Sequence, residues 1–384
     1  MDERGLAPEA LRAELAAQRA RDATFGSGRI LGSMCTAPHP LAQEAYRMFL
    51  ETNLGDPVLH AGARELEHRA VRAIGHLLRA PATGTAQFVS GGTEANFTAL
   101  RLAAKATGRR EVVLPASAHP SFDKALDVLG LTPRVARLGP DRTVDVDHVV
   151  ELVSRRTACV VGIAGSTEFG TVDDVGALAE LAKDAGAFAH VDAAFGGFVV
   201  PFLQEAGERL PDFDFTLPGV TTVTIDPHKM GMSCIPAGVL AVRDATLLDK
   251  IAVAVPYVSA ERQSTLVGTR PGAGPAAAYA AMRALGREGY RANAVACLAR
   301  ARRLAADLKA LGVVLARDPQ LNVVTASVDD APGVRRRLAE AGWYVAGAPL
   351  TGGFKVVVMP HVTDAALDGF LKTLPSALEE QGNG

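Results

Sequence analysis

The sequence predicts an α/β protein: a mostly parallel sheet covered by helices on both faces, then a smaller α+β unit. Three observations carry this. From residue 85 onward, short β-branched runs alternate with helical stretches, the pattern of parallel strands joined by crossover helices. The chain has 384 residues, 48% of them hydrophobic, ample for a large core. After Gly289 the pattern changes to a long Arg/Ala/Leu helix followed by strand, helix, strand and helix.

The elements are justified in chain order. Residues 8–22 read as an amphipathic helix opening near Pro8. Residues 24–40, rich in Gly, Ser, Thr and Pro, read as an ordered arm. Residues 41–52 and 63–78 have helical period. Strands are expected at 85–90, 111–115, 157–164, 188–191, 221–225 and 235–243, with helices at 94–106, 121–129, 175–185 and 275–285. A helix over 291–311, strands at 321–327 and 354–359, and helices at 334–341 and 364–374 complete the chain. The expected division is an N-terminal helix and arm (1–55), a large domain (56–290) and a small C-terminal domain (291–384).

Composition excludes several classes. A net charge of -2 gives no reason to expect nucleic acid or an anionic membrane as partner. Cys35, Cys159, Cys234 and Cys297 form no CxxC pair, so neither a disulfide scaffold nor a structural metal site is expected. No apolar leader, membrane-length run or internal repeat is visible, and a cytoplasmic protein with reduced thiols is expected. Residues 380–384 are expected to fray.

In open α/β sheets ligands bind beyond the carboxyl ends of the strands, so polar residues just after each strand are the candidates. Lys229 follows a β-branched strand in Thr-Ile-Asp-Pro-His-Lys-Met (224–230). A lysine so placed is partly desolvated, which lowers its pKa and favours the neutral amine that attacks an aldehyde. A solvated surface lysine is the commoner case, and the motif alone does not separate the two. Asp192 ends the strand in Ala-His-Val-Asp-Ala-Ala-Phe-Gly-Gly; it is suited either to a ring N–H or to capping a helix. Gly91-Gly92-Thr93-Glu94 joins a strand to a helix, where glycine backbone, free N–H groups and a hydroxyl suit a phosphate. No lysine follows as in a Walker loop. His119 is placed to stack on a flat ring, although a lone histidine is more often a loop or core residue. The Gly268–Gly274 run precedes a helix and suits a second phosphate oxygen, or is an ordinary loop. His60, His68 and His76 do not share one helix face and read as structural.

Each signal is modest, but their order is specific. A phosphate-type turn, a stacking histidine, a strand-end aspartate and a strand-end lysine fall on successive α/β units. The segments are Gly-Ser-Met-Cys-Thr-Ala-Pro-His-Pro (32–40), Glu-Thr-Asn-Leu-Gly-Asp-Pro (51–57), Gly-Gly-Thr-Glu-Ala-Asn (91–96) and Gly-Ser-Thr-Glu-Phe-Gly-Thr-Val-Asp (165–173). His-Val-Asp-Ala-Ala-Phe-Gly-Gly-Phe (190–198), Asp-Pro-His-Lys-Met-Gly-Met (226–232), Gly-Thr-Arg-Pro-Gly-Ala-Gly (268–274) and Val-Met-Pro-His-Val-Thr (358–363) follow. Through these the chain resembles the group II pyridoxal-phosphate (PLP) decarboxylases, and within them the L-tyrosine/L-aspartate decarboxylase family of methanogenic archaea.

The resemblance implies a fold-type-I, aspartate-aminotransferase-like PLP enzyme that decarboxylates a small L-amino acid (aspartate, tyrosine or a relative) to the amine and CO2. It implies PLP carried covalently on Lys229, Asp192 on the ring nitrogen, and His119 stacked on the ring. Gly92 and Thr93 are implied at the phosphate, Thr167 near the 3-hydroxyl, and Asp226 and His228 flanking the phosphate. A homodimer with interfacial sites is implied, with the loop carrying Gly268 serving the neighbour's cofactor. Lys229 and Tyr257 are the candidates for the proton delivered to Cα. Asn53, His60, Tyr257 and Lys355 are the candidate substrate contacts.

Two departures bear on substrate. His60-Ala61-Gly62 stands where relatives have an aromatic residue and a proline before the glycine. Lys355 stands where relatives have an arginine, and lysine is the poorer bidentate partner for a carboxylate. An acidic substrate points to Lys355 or His361 as its partner, an aromatic one to a larger pocket near His60. The competing readings are a carbon–carbon lyase of the sphingosine-phosphate-lyase type, a decarboxylation-dependent transaminase, and a catalytically silent relative. A nicotinamide dehydrogenase is disfavoured because no GxGxxG follows the first strand.

Overall fold

The computed structural model describes residues 3–56, 58–259 and 262–379. The fraying expected of 380–384 lies outside the described residues. Chain order opens with α1 (Pro8–Arg19), α2 (Pro40–Met48) and α3 (Ala61–Leu77). The α/β run follows: β1 (Thr85–Val89), α4 (Gly92–Thr107), β2 (Glu111–Pro115), α5 (Ser121–Leu129), β3 (Thr132–Ala136), α6 (Val146–Leu152), β4 (Thr157–Ile163) and α7 (Val175–Asp184). It continues with β5 (Phe188–Asp192), α8 (Val200–Glu205), β6 (Val220–Ile225), β7 (Gly238–Val242), β8 (Val253–Ala254) and β9 (Arg262–Gln263). The rest comprises α9 (Ala273–Ala310), β10 (Val314–Leu315), β11 (Val323–Ser327), α10 (Ala331–Glu340), β12 (Ala346–Ala348), β13 (Gly353–Val357) and α11 (Asp364–Glu379).

Seven strands form the large sheet in the order β1-β7-β6-β5-β4-β2-β3. All pairings are parallel except those of β7, which runs against β1 and β6. The interior strands are buried and largely apolar because helices cover both faces: every residue of β2, β4 and β7 is buried. The edge strand β3, Thr-Pro-Arg-Val-Ala, is mostly exposed and escapes the pattern that finds the others. Its Pro133 sits on an edge, where a missing N–H costs little. The short α6 also lacks a strong sequence signal; Asp145 caps it by accepting from His148 N.

A four-stranded antiparallel sheet, β10-β11-β13-β12, forms the smaller layer with α10 and α11. One continuous apolar cluster runs through both sheets, including Val191 and Val223 of the large one, Val324 and Phe354 of the small one, and Phe370 of α11. The two helices expected on either side of Gly286 are both present within the span labelled α9, parted by a kink where Gly286 adopts φ 57°. Glycine enters that left-handed region at no steric cost. The arm at 24–40 is tied at both ends. Leu31 N and Gly32 N donate to the Tyr344 carbonyl, Val357 N donates to the Leu31 carbonyl, and His39 N donates to the Met232 carbonyl. It therefore runs from the small sheet to the turn that carries Lys229. Among the described residues, no helix is long and apolar enough to cross a membrane.

Candidate active site

The carboxyl ends of β1, β2, β4, β5 and β6 open on one cavity of about 330 Å³. Its walls hold Gly92 and Thr93 after β1, His119 after β2, Thr167 after β4, Asp192 at the end of β5, and Asp226, His228 and Lys229 after β6. The topology explains the convergence, since parallel neighbours all end on the same side. Close approach of two loops shapes the floor. A Cβ on Gly196 would lie 2.2 Å from the Ala164 carbonyl oxygen, so the turn after β5 passes directly over the end of β4.

The Lys229 ammonium lies 3.3 Å from Asp226 Oδ2. Burial works against its charge, yet Asp226 and Asp192 outweigh burial and the Lys229 pKa stands above the ordinary lysine value. This corrects the expectation of a lowered pKa: desolvation acts as expected, but the aspartate three residues earlier in the turn is its ion-pair partner. Asp226, expected beside the phosphate, thus faces Lys229, with His228 Nε2 3.5 Å from the same oxygen. His228 Nδ1 accepts from Ala237 N at 3.2 Å, and His119 Nδ1 accepts from Ser121 N at 3.1 Å. In each neutral ring the proton therefore resides on Nε2. Burial lowers both histidine pKa values and favours those neutral forms.

Asp192 is 7% exposed. Its Oδ1 accepts from Ala194 N at 3.0 Å and its Oδ2 from Asn96 Nδ2 at 2.9 Å. Asn96 also lines the cavity, as do Ser90, Ser117 and Phe195. Ser117 stands among the polar residues just after a strand that the sequence singles out; the sequence marks no role for Asn96, Ser90 or Phe195. Asn96 was detectable: it lies one helical turn beyond Gly92 on α4, hence on the face that looks at the sheet.

Asn53, His60, Tyr257 and Gly268 do not line this cavity in the single chain. Asn53 instead braces the loop around Gly268, its Oδ1 accepting from Gly55 N and Arg270 N. Tyr257 is 83% exposed. Lys355 stands just behind the cavity wall on β13, 6% exposed, with Nζ donating to the Thr167 carbonyl. Burial pulls its pKa down to about 8, with the Glu168 charge opposing and the Lys229 charge reinforcing the fall. His361 is corrected as a carboxylate partner. Its Nε2 bonds the Ile30 carbonyl at 2.8 Å and its Nδ1 bonds Thr36 Oγ1 at 2.8 Å, so both nitrogens are committed to holding the arm.

A fold of this topology with a lysine, an aspartate and a histidine converging at strand ends defines an α/β enzyme built for an aldehyde cofactor with a phosphate handle. Comparison with known proteins makes this specific. Residues 59–325 match the model of the pyridoxal-dependent decarboxylase conserved domain, and the chain belongs to that family. It is 46% identical over 356 residues to a probable L-tyrosine/L-aspartate decarboxylase of Methanothermobacter thermautotrophicus, covering 91% of this chain and 98% of that one. It is 45% identical to an L-aspartate/L-glutamate decarboxylase of Pyrococcus horikoshii, covering 93% and 94% respectively. Among solved structures, a sphingosine-1-phosphate lyase of Burkholderia pseudomallei superposes with TM-score 0.91 at 30% identity, over 99% of this chain and 92% of that one. The chain is thus a PLP-dependent carboxy-lyase acting on an amino acid.

The residues present fit PLP. Gly91 caps α4 without any side-chain bond, which leaves the first N–H groups of that helix directed at the cavity for an anion. Ser117 Oγ and Asp226 Oδ1 are buried polar atoms without a partner, as expected of groups that bond a ligand. The glycine at 92 keeps that wall open, because a Cβ there would sit 3.0 Å from Asp226 Oδ2.

Proposed function

We propose that the chain decarboxylates a small acidic L-amino acid, with L-aspartate the leading substrate. Lys355 carries this reading. It is a buried cation beside the Lys229 wall, and among the described residues no carboxylate lies within ion-pair distance of it. The Glu168 charge offsets it only from beyond ion-pair distance, and a buried charge so weakly compensated is costly. A substrate carboxylate at that place would supply the missing counter-charge. Aspartate is also the substrate common to the printed names of the two decarboxylase relatives above.

PLP, when bound, supplies an electrophilic aldehyde and a ring that takes up the electron pair released as CO2 departs. In this reading Lys229 anchors the cofactor. Asp192 would hold the proton on the ring nitrogen, and His119 would pack against the ring. Gly92 and Thr93, with His228, would bind the phosphate, and Thr167 would serve the 3-hydroxyl. Asp226 keeps the Lys229 amine protonated and oriented, so that Lys229 is the group positioned to return a proton to Cα.

The reading includes a cytoplasmic homodimer. Val58, Leu59, Tyr257, Leu266 and Val267 are exposed on the segments flanking Asn53 and Gly268. A second subunit covering them would bring Tyr257, His60 and Gly268 to its own cavity, where a single chain leaves them outside.

The test is a comparison of L-aspartate with L-tyrosine on the PLP-loaded protein and its Lys355→Met variant. The expected result is preference for aspartate in the wild type, and loss of about 10-fold or more in kcat/KM for aspartate in the variant, the cost of removing one charge-assisted contact. Preference for tyrosine, with Lys355→Met inconsequential, would overturn it. The lyase reading draws on the similarity to the Burkholderia enzyme; it predicts an aldehyde product and no CO2.

A further inference from the structure

Behind Asp192 lies a buried polar chain whose hydrogen-bond directions follow from its partners. Asn96 Nδ2 donates to Asp192 Oδ2 at 2.9 Å and to Ser121 Oγ at 3.1 Å, which uses both amide hydrogens. Turning the amide over would set its carbonyl against the carboxylate, two acceptors with no hydrogen between them. Asn96 Oδ1 therefore accepts, and its neighbours are Thr224 Oγ1 at 2.8 Å and His190 Nε2 at 3.0 Å. It follows that His190 carries its proton on Nε2, and that its Nδ1 accepts from the Thr222 hydroxyl at 2.8 Å. Asn96, His190, Thr222 and Thr224 are all 1% exposed or less. Burial holds the His190 pKa down to about 4, so the ring is neutral and adds no charge to the site.

We propose that Asn96 is a positioning residue for Asp192 and that His190, acting through Asn96, fixes the orientation of that amide. The pair aims the carboxylate. The amide that contacts Asp192 donates a hydrogen bond but has no proton to surrender, and its carbonyl is occupied from behind so that it cannot turn. Each carboxylate oxygen accepts one bond from the protein, at Ala194 N and Asn96 Nδ2, and keeps acceptor capacity for the cavity. This inference rests on the assignment of Asp192 to the ring nitrogen of PLP.

Two measurements test it. Nitrogen NMR of histidine-labelled wild-type protein, with and without PLP, should show His190 as the neutral Nε2–H tautomer in both states; an Nδ1–H tautomer would overturn the chain. Steady-state kinetics and cofactor absorbance should then be compared for Asn96→Ala and Asn96→Asp. A merely space-filling role would tolerate Asp, which has nearly the same shape. The proposal expects the opposite, because a second carboxylate would face Asp192. Asn96→Ala should lower kcat by about 10- to 100-fold, the loss of one bond to a charged group, with KM little changed. Asn96→Asp should fall further, with an altered cofactor band. Equal effects of the two variants, or wild-type kcat in Asn96→Asp, would overturn it. Asp192→Asn separates the two readings: if it is inactive while both Asn96 variants are normal, only this inference fails. If Asp192→Asn keeps wild-type kcat and spectrum, the assignment of Asp192 fails. Should neither Asn96 variant fold, the tautomer decides.

Discussion

Lys355 Nζ donates to the Thr167 carbonyl at 2.5 Å, which links the small sheet to the loop after β4 and sets a second cation beside Lys229. The contact joins the two layers of the fold at the cavity wall. If Lys355 meets the substrate carboxylate as proposed, substrate binding should depend on pH. Burial lowers the Lys355 pKa to about 8, so its charge is present below that pH and lost above it. Binding of an acidic substrate should weaken as pH rises through about 8. Lys355→Arg should carry this alkaline limb upward, because guanidinium stays protonated throughout. A pH series of kcat/KM for aspartate in both proteins checks it, and a limb at the same pH in both would assign the titration elsewhere.

Gly92 should not tolerate a side chain. A Cβ there would lie 3.0 Å from Asp226 Oδ2 and 3.2 Å from Ala194 Cβ, both on the cavity wall. Gly92→Ala is expected to weaken PLP binding by about 10-fold, ~1.4 kcal/mol, through displacement of that wall. Alanine is otherwise favourable in the first turn of a helix, so the melting temperature of the protein without cofactor should change little. Equilibrium dialysis of PLP and a thermal melt measure the two effects separately.

Asp173 should make stability depend on pH below neutrality. Its two oxygens accept from Val144 N and Ile163 N at 2.9 Å, but burial still raises its pKa to about 6. A folded-state pKa above the unfolded value means the contribution is fully present below about pH 4 and is lost as pH rises through about 6. The window holds ~3 kcal/mol on the linkage relation. Chemical denaturation between pH 4 and 7 should show this trend flattened in Asp173→Asn relative to wild type. The same slope in both proteins would show that Asp173 does not cause it.

Much of the fold was readable because its signals are local. Interior strands such as β2 and β4 are fully buried and mostly apolar, and the polar residues that follow them mark the cavity. Lys229, Asp192 and His119 stand at such positions and meet in space. What escaped depends on the third dimension. β3 has no apolar run because it forms the sheet edge. The direction of the Lys229 pKa shift is not legible in the sequence because it turns on the conformation of Asp-Pro-His-Lys, which brings Asp226 back onto the amine. His190 and Asn96 come from a strand and a helix far apart in sequence, and nothing near either residue announces their bond. His361 reads as a free imidazole until the arm folds across it.

The most direct test of the account is a single reaction run on two proteins. PLP-loaded wild type and Lys229→Ala would each be incubated with L-aspartate, with the amine and CO2 quantified together. The account predicts equal amounts of β-alanine and CO2 from the wild type, and neither product nor Schiff-base absorbance from the variant. Turnover retained in Lys229→Ala would contradict the placement of the cofactor on Lys229. A carbonyl product in place of the amine would contradict simple decarboxylation.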